Sequence, residues 1–238
     1  MSFIISNAVV KGTKCGENRS PLSYRFIDLP PLYDPATDTG YYGVVTASQL
    51  FTGAELSTTL GITAGSLQNS ETDWLHFYVG KNAACNRDPR KRPYEIYIAK
   101  KSIRHTIAWE DMNKVGAVYG ARVVTNNGKS LICRLPTGAD NDPSGDANTN
   151  KSEWNALMYR VHTIVPDNQV GDNWATFSDI DTNVKNGKGS FSWCQEWYDR
   201  DTNDAIVRGS ISLDFIQGAT SDYAYTSAYG WRPVLVSF

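Results

Sequence analysis

The sequence predicts an α+β fold, and two patterns carry that prediction. Apolar residues recur at helical spacing in two segments, first Trp109, Met112 and Val115 and then Trp154, Leu157, Met158 and Val161. The last third of the chain is instead a run of short aromatic or β-branched stretches separated by Asn, Asp, Gly and Ser. Helices followed by a run of strands is the order of an α+β domain rather than of alternating βαβ units. A length of 238 residues suits one large domain, or one domain with an extended arm.

Taken in order, residues 1–40 hold Pro21, Pro30, Pro31 and Pro35 among short apolar pieces without a sustained period. This predicts an N-terminal arm or docking segment ahead of a domain over residues 41–238. Residues 47–60 fit a helix ended by Gly61. NRDPRKRP at residues 86–93 is turn chemistry and predicts a solvated hairpin tip. In the next stretch Tyr94, Ile96 and Ile98 alternate with Glu95 and Tyr97, as a half-buried strand requires. Glu110 and Asp111 open the first amphipathic helix, where the backbone dipole favours negative charge. Asn127-Gly128 marks the turn of a strand pair, and Ser152 is a good N-cap for the second helix. WATFSDI, FSWCQEWYD, AIVRGSIS and WRPVLVSF read as the strands that follow.

Composition excludes several partners. A net charge of -2 offers no basic surplus to neutralise phosphates, so no nucleic-acid partner is expected. No segment approaches the roughly 18 consecutive apolar residues of a membrane-spanning helix, and residues 1–20 lack the basic region and clean cleavage site of a signal peptide. The expectation is a soluble protein without membrane insertion. Cys15, Cys85, Cys133 and Cys194 contain no C-x-x-C pair, which speaks against a zinc site or disulfide framework and for buried thiols made in a reducing cytosol.

Several segments, in order, resemble the formylglycine-generating-enzyme family of C-type-lectin-like domains. They are Ile107-Ala108-Trp109-Glu110-Asp111-Met112, Arg134-Leu135-Pro136-Thr137, Ser152-Glu153-Trp154-Asn155-Ala156-Leu157, Phe191-Ser192-Trp193-Cys194-Gln195-Glu196-Trp197-Tyr198, Ala205-Ile206-Val207-Arg208-Gly209-Ser210 and Gly230-Trp231-Arg232. The resemblance implies a C-type-lectin-like domain, two helices around a short, twisted, mainly antiparallel sheet with long loops. It also implies that Trp193 and Trp197 pack in the core, where such rings bury on the order of 150–250 Å² each. Arg208 and Arg232 are expected to anchor loops through carbonyls or carboxylates, since buried guanidinium groups need partners.

Oxidase members of that family bind copper through a close pair of cysteines downstream of the R-G-G-S-W element. After Arg208-Gly209 this chain has no cysteine, so the resemblance does not carry that chemistry over. His76, His105 and His162 are isolated in sequence, and no nucleophile elbow is present. The insertion DNDPSGDANTN sets Asp140, Asp142, Ser144 and Gly145 at the spacing that opens an EF-hand loop, but Lys151 stands where the bidentate Glu is needed. A polar loop is the simpler reading. No metal, no cofactor and no catalytic residue is expected.

The wording of residues 70–82, 98–120 and 152–162 and the ending YGWRPVLV resemble tailed-bacteriophage virion proteins that carry lectin-like domains on tail fibres, head fibres or decorations. The resemblance implies a non-enzymatic virion appendage, made in the bacterial host cytoplasm. It would dock other virion proteins through its N-terminal arm, act as a homo-oligomer and attach to a host-surface glycan or protein. An architectural virion subunit and a degenerate oxidase remain the alternatives. The candidate ligand face is the stretch that interleaves Tyr223, Tyr225 and Tyr229 with Asp214, Gln217 and Asp222, because tyrosines supply stacking area while polar neighbours bond hydroxyls. The alternation of Tyr223 and Tyr225 fits a packed strand as well.

Overall fold

The computed structural model describes residues 27–125, 127–144, 149–174 and 176–237. In chain order the strands are β1 (Leu32–Asp34), β2 (Thr39–Val45), β3 (Ser66–Leu67), β4 (Trp74–Val79), β5 (Tyr94–Ala99), β6 (Arg104–His105), β7 (Ala121–Val124), β8 (Ser130–Arg134), β9 (Phe191–Asp199), β10 (Asp204–Gly209), β11 (Ile216–Thr220), β12 (Tyr229–Trp231) and β13 (Val234–Ser237). They build a seven-stranded sheet in the order β1-β2-β4-β5-β13-β8-β7 and a six-stranded sheet in the order β11-β10-β9-β12-β6-β3. All neighbours are antiparallel except β12 and β9. The α+β expectation stands in coarse form, while the single short sheet is replaced by two.

Helical structure is shorter than the periodicity suggests. Residues 47–60 split into a 3₁₀ turn, Ala47–Gln49, and helix α1, Gly53–Leu60, because the chain restarts at Thr52, whose hydroxyl accepts from Glu55 N. Gly61 closes α1 in the left-handed conformation, as expected. Helix α2 covers only Trp109–Asn113. The second amphipathic segment forms a π turn over Trp154–Met158 and a 3₁₀ turn over Tyr159–Val161, with the Ser152 hydroxyl accepting from Asn155 N at 3.1 Å. Its polar side chains are buried together with the apolar ones: Asn155 and Arg160 are as enclosed as Trp154 and Leu157. A one-faced α-helix cannot enclose all of these, and the wider turn brings them inward. The described residues of WATFSDI form no strand either, only a bridge between His162 and Phe177.

Strand alternation gives the seven-stranded sheet two covered faces. Leu75, Phe77, Val79, Ile96 and Ile98 pack against the Trp154–Val161 turns. On the other face Trp74, Tyr97, Ala99 and Leu235 meet Leu56 of α1, Trp109 and Met112 of α2, and Trp193 and Val207 of the six-stranded sheet.

The two sheets are joined where the chain changes sheets twice at one place. β5 leads into β6 through residues 100–103, and β12 leads into β13 through Arg232-Pro233, so WRPVLVSF is two strands in two sheets rather than one. The crossovers are bonded to each other, Ala99 N to Pro233 O at 3.0 Å and Ile103 N to Trp231 O at 2.8 Å. Arg232, fully buried, donates from Nε to Ser192 Oγ (2.9 Å), from Nη1 to Ala99 O (2.9 Å) and Lys100 O, and from Nη2 to Thr182 O (2.6 Å) and Asn183 O (3.3 Å). Burial pushes its pKa down to about 9, and with carbonyl and hydroxyl oxygens on its nitrogens the guanidinium stays charged at neutral pH. Gly230 is required beside it, since a Cβ there would lie 2.6 Å from Gly189 Cα.

Part of the expected arm belongs to the sheet. Residues 32–34 and 39–40 form β1 and the start of β2, and the buried Asp34 carboxylate pairs with Arg160 at 2.9 Å. Burial pushes the Asp34 carboxyl up, but the Thr37 hydroxyl, the amides of Ala36 and Asp172 and the Arg160 guanidinium together hold it below its ordinary range. Residues 1–26 of the arm, with Cys15, lie outside the described residues.

Replacing Arg232 with methionine keeps the bulk and leaves four carbonyls without their donor. At about 1–3 kcal/mol for each unsatisfied buried group that no water reaches, Arg232→Met is expected to destabilise the protein by at least about 3 kcal/mol in urea unfolding. An unchanged midpoint and slope would mean that the crossovers hold without the guanidinium.

Candidate functional site

The stretch SWCQEWY lies in β9, and strand alternation divides it. Trp193 is fully buried in the main core, its Nε1 donating to Ile107 O at 2.8 Å. Trp109 Nε1 returns a bond to Cys194 O at 2.9 Å, so the two indoles lock β9 to the segment that opens α2. Trp197 is only half-buried. It packs at the rim, 4.7 Å from the Trp109 ring and under Arg200, which corrects the expectation of a full core position.

Toward the other end of β9 the core rises to the surface through a graded series of rings. Tyr229 of β12 stacks on Trp193 (5.1 Å, 25°) and on Phe191 (5.2 Å, 18°). Phe191 also meets Phe215 at 6.1 Å. Tyr223 stands edge-on to Tyr229 at 5.2 Å, and Tyr225 edge-on to Tyr223 at 5.5 Å. Edge-to-face pairs of this kind stabilise an exposed ring without enclosing it, and Tyr225 remains 87% exposed. Gln217 Nε2 donates to Tyr229 OH at 3.4 Å.

Of the six residues expected at a ligand face, the fold thus brings Gln217, Tyr223, Tyr225 and Tyr229 together. Asp214 and Asp222 are exposed, and among the described residues no hydrogen bond ties either to this group. Residues 214–229 are not one loop, because β11 occupies the first part and Tyr229 is a core residue of β12. The remaining loop is pinned at its base, Ser221 N to Asn203 O and Glu110 N to Ser221 O. Phe191 and Phe215 join this face although the sequence reading does not place them on it; the alternation of Phe191 with Trp193 along β9 is the signal the sequence carries.

The acidic insertion is used for docking. Asp142 accepts from Trp197 N at 3.0 Å and pairs with Arg200 at 2.9 Å, Ser144 N donates to Trp197 O at 2.9 Å, and Asp140 accepts from Lys151 N at 2.6 Å. Residues 145–148 lie outside the described residues, and among those described no group of three or more His, Cys, Asp or Glu side chains is placed to hold a metal ion.

The histidines are dispersed. His162 is buried between Met158 O and Thr182 Oγ1, both 2.6 Å away, and burial pushes its pKa down to about 4. His76 is stacked between Tyr42 and Tyr97, 4.2 Å from each, with Nε2 3.4 Å from Glu95 Oε1. The three described thiols are masked: burial pushes Cys85 up to about 12 and raises Cys133 and Cys194 as well.

Glu196, the acidic residue inside SWCQEWY, is a strongly perturbed carboxyl. Burial drives its pKa up to about 7, although Gly138 N donates to it at 2.8 Å and Arg87 opposes the shift. No histidine is hydrogen-bonded to it, and the neighbouring Glu153 is committed to Arg134 and to Thr137 N.

Between about pH 4.5 and about pH 7 the folded Glu196 is neutral while the unfolded carboxyl is charged. Its contribution is therefore complete below the unfolded value and is lost as pH rises through the folded one, about 3 kcal/mol in all. His162 acts with the opposite sign. It stays neutral in the fold when the unfolded ring takes a proton, so stability falls as pH drops from about 6.5 toward about 4. Glu196→Gln separates the two: the stability of the wild type relative to this variant should fall by about 3 kcal/mol across the Glu196 window, whereas parallel curves would show Glu196 ionised in the fold. No protein-family model matches the chain, and neither a curated protein nor a solved structure matches it.

Proposed function

We propose that the protein is a non-enzymatic recognition module of the C-type-lectin-like, formylglycine-generating-enzyme-like kind. In this reading it is an appendage of a tailed-bacteriophage virion that attaches to a host-surface glycan or protein. The observation that carries the reading is the graded aromatic face from Trp193 through Tyr229 and Tyr223 to the exposed Tyr225. A rigid platform of this kind can take the flat face of a sugar ring, with Gln217 and backbone groups available to its hydroxyls. The motif residues support the fold in the same sense, since Trp193, Arg208 and Arg232 are buried as the resemblance implies, although Trp197 is only half-buried. Buried thiols of high pKa favour a binding role over thiolate chemistry.

One observation favours the architectural alternative. Ile164, 66% exposed, lies near the exposed Val165 and Val170 in the segment after His162, and such side chains suit packing on a neighbouring subunit. An architectural subunit would bind neither cells nor glycans.

The Tyr223→Ser, Tyr225→Ser pair separates these readings. Tyr225 carries little of the fold, so its substitution alone should shift stability by less than about 0.5 kcal/mol, while Tyr229→Ala should cost about 3–5 kcal/mol. The folded double variant is expected to lose binding to bacterial cells and to a glycan array that the wild type retains. Undiminished binding by a folded double variant would remove recognition from this face.

A further inference from the structure

A cleft of about 580 Å³ opens on the molecule at the β3 edge of the six-stranded sheet, and its charge is unlike that of the protein as a whole. Lys101, Lys185 and Lys188 line it and no carboxylate does, in a chain whose net charge is -2. Among the described residues none of these lysines forms a salt bridge. Asp181, which feels Lys100 and Lys101, is taken up by Ser178 N and Oγ at 2.9 and 2.7 Å. Burial first, with Lys188 and Arg104 adding to it, holds the nearby His105 below its ordinary range.

The remaining lining is mainly carboxamide: Gln68, Asn69, Asn183 and Asn186. The Gln68 and Asn69 amide nitrogens are spent on the backbone, Gln68 Nε2 on Ser102 O and Lys188 O and Asn69 Nδ2 on Ser102 O, which leaves their oxygens as acceptors. The walls are held in place before any ligand arrives. Arg232 binds the carbonyls of Lys100 and Asn183, Asn186 N donates to Ser210 O, and Gly189 O accepts from Ser102 Oγ at 2.6 Å. Asn183 and Asn186 sit at φ 53 and 46, a backbone conformation that asparagine tolerates better than most residues.

We infer that this cleft is a binding site for an anionic glycan, with Lys101, Lys185 and Lys188 meeting its charged groups and the carboxamides meeting its hydroxyls. The volume lies within the usual range for a ligand site. The adjoining recess of about 410 Å³ decides between polyanions. It shares Gln68, Asn69 and Lys101 with the cleft but adds the carboxylates of Glu71 and Asp73 beside Lys100, so its charges balance where the cleft's do not. A strand with a phosphate at every residue would be driven against those carboxylates as it continued, whereas a glycan can set neutral sugars there and give its hydroxyls to them. No aromatic ring lines either recess, so nothing is offered for base stacking. The inference does not depend on the aromatic face, which uses other residues.

Calorimetric titration of the full chain with an alginate hexasaccharide, carrying carboxylates, and a heparin hexasaccharide, carrying sulfates, tests it and separates the two anion types. At least one should bind with an affinity that falls as salt is raised, and neutral maltohexaose should not bind. Changing Lys101, Lys185 and Lys188 to alanine should weaken binding by about tenfold or more, whereas the same change at the exposed Lys81, Lys114 and Lys151 should leave it within about twofold. If the triple variant fails to fold, the double variant at the exposed Lys185 and Lys188 carries the comparison. The site is overturned if neither glycan binds, if both lysine sets matter equally, or if hexaglutamate or a thymidine hexanucleotide binds as tightly as the glycans.

Discussion

A buried guanidinium with no carboxylate partner among the described residues is the constraint on which the rest of the architecture depends. Arg232 gives up its hydration and receives four backbone carbonyls and one hydroxyl, drawn from the β5 to β6 crossover, the segment at Thr182 and Asn183, and β9. Transfer of such an ion into a protein interior costs several kcal/mol unless its donors are met, so the fold is stable only when all three segments arrive together. That requirement couples the sheets: neither crossover reaches its position without the other. Arg232 has the planar fork to reach three segments at once, which a lysine ammonium lacks.

Buried guanidinium groups recur at other loop bases, two of them with carboxylate partners. Arg208 donates to Gly138 O, Asn155 Oδ1 and the Tyr159 hydroxyl, joining β10 to the helical turns and to the loop before the insertion. Arg134 grips Glu153, and Arg160 joins Asp34, Thr37 and Thr39 to Asp172 O. Long connections normally carry few constraints, but here buried cations fix their ends. Both candidate recognition surfaces rest on segments held in this way. The lysine-bearing loop is tied through Arg232, and Gly189 N bonds Ser227 O at 2.7 Å, so that loop and the tyrosine loop share a base.

Much of the framework was legible in the sequence because local chemistry agreed with the final structure. Gly61 as a left-handed cap, Ser152 as a cap, the β7 to β8 pair around Asn127-Gly128 and the alternation of Tyr94 to Ile98 all follow from short-range rules. What the sequence hid depended on long-range polar contacts. Asn155 and Arg160 look like the wet face of a helix until their partners Arg208 and Asp34 are seen. Arg232-Pro233 looks like an interruption in one strand, and only the sheet order shows that β12 and β13 belong to different sheets. The candidate tyrosines were legible as types and not as depths: Tyr229 and Tyr225 are separated by burial alone. The basic cleft was hidden outright, since Lys101 and Lys188 meet only through the fold.

The claim that the Arg232 seam holds the two sheets as one cooperative unit is tested most directly by native-state hydrogen exchange at the amides of Ala99 and Ile103, which bond Pro233 O and Trp231 O across the seam. The account predicts that both exchange only through global unfolding, with a free energy equal to that from urea denaturation and the same dependence on denaturant. Exchange through a local opening several kcal/mol below the global value, with little denaturant dependence, would show that the sheets part independently and would contradict it.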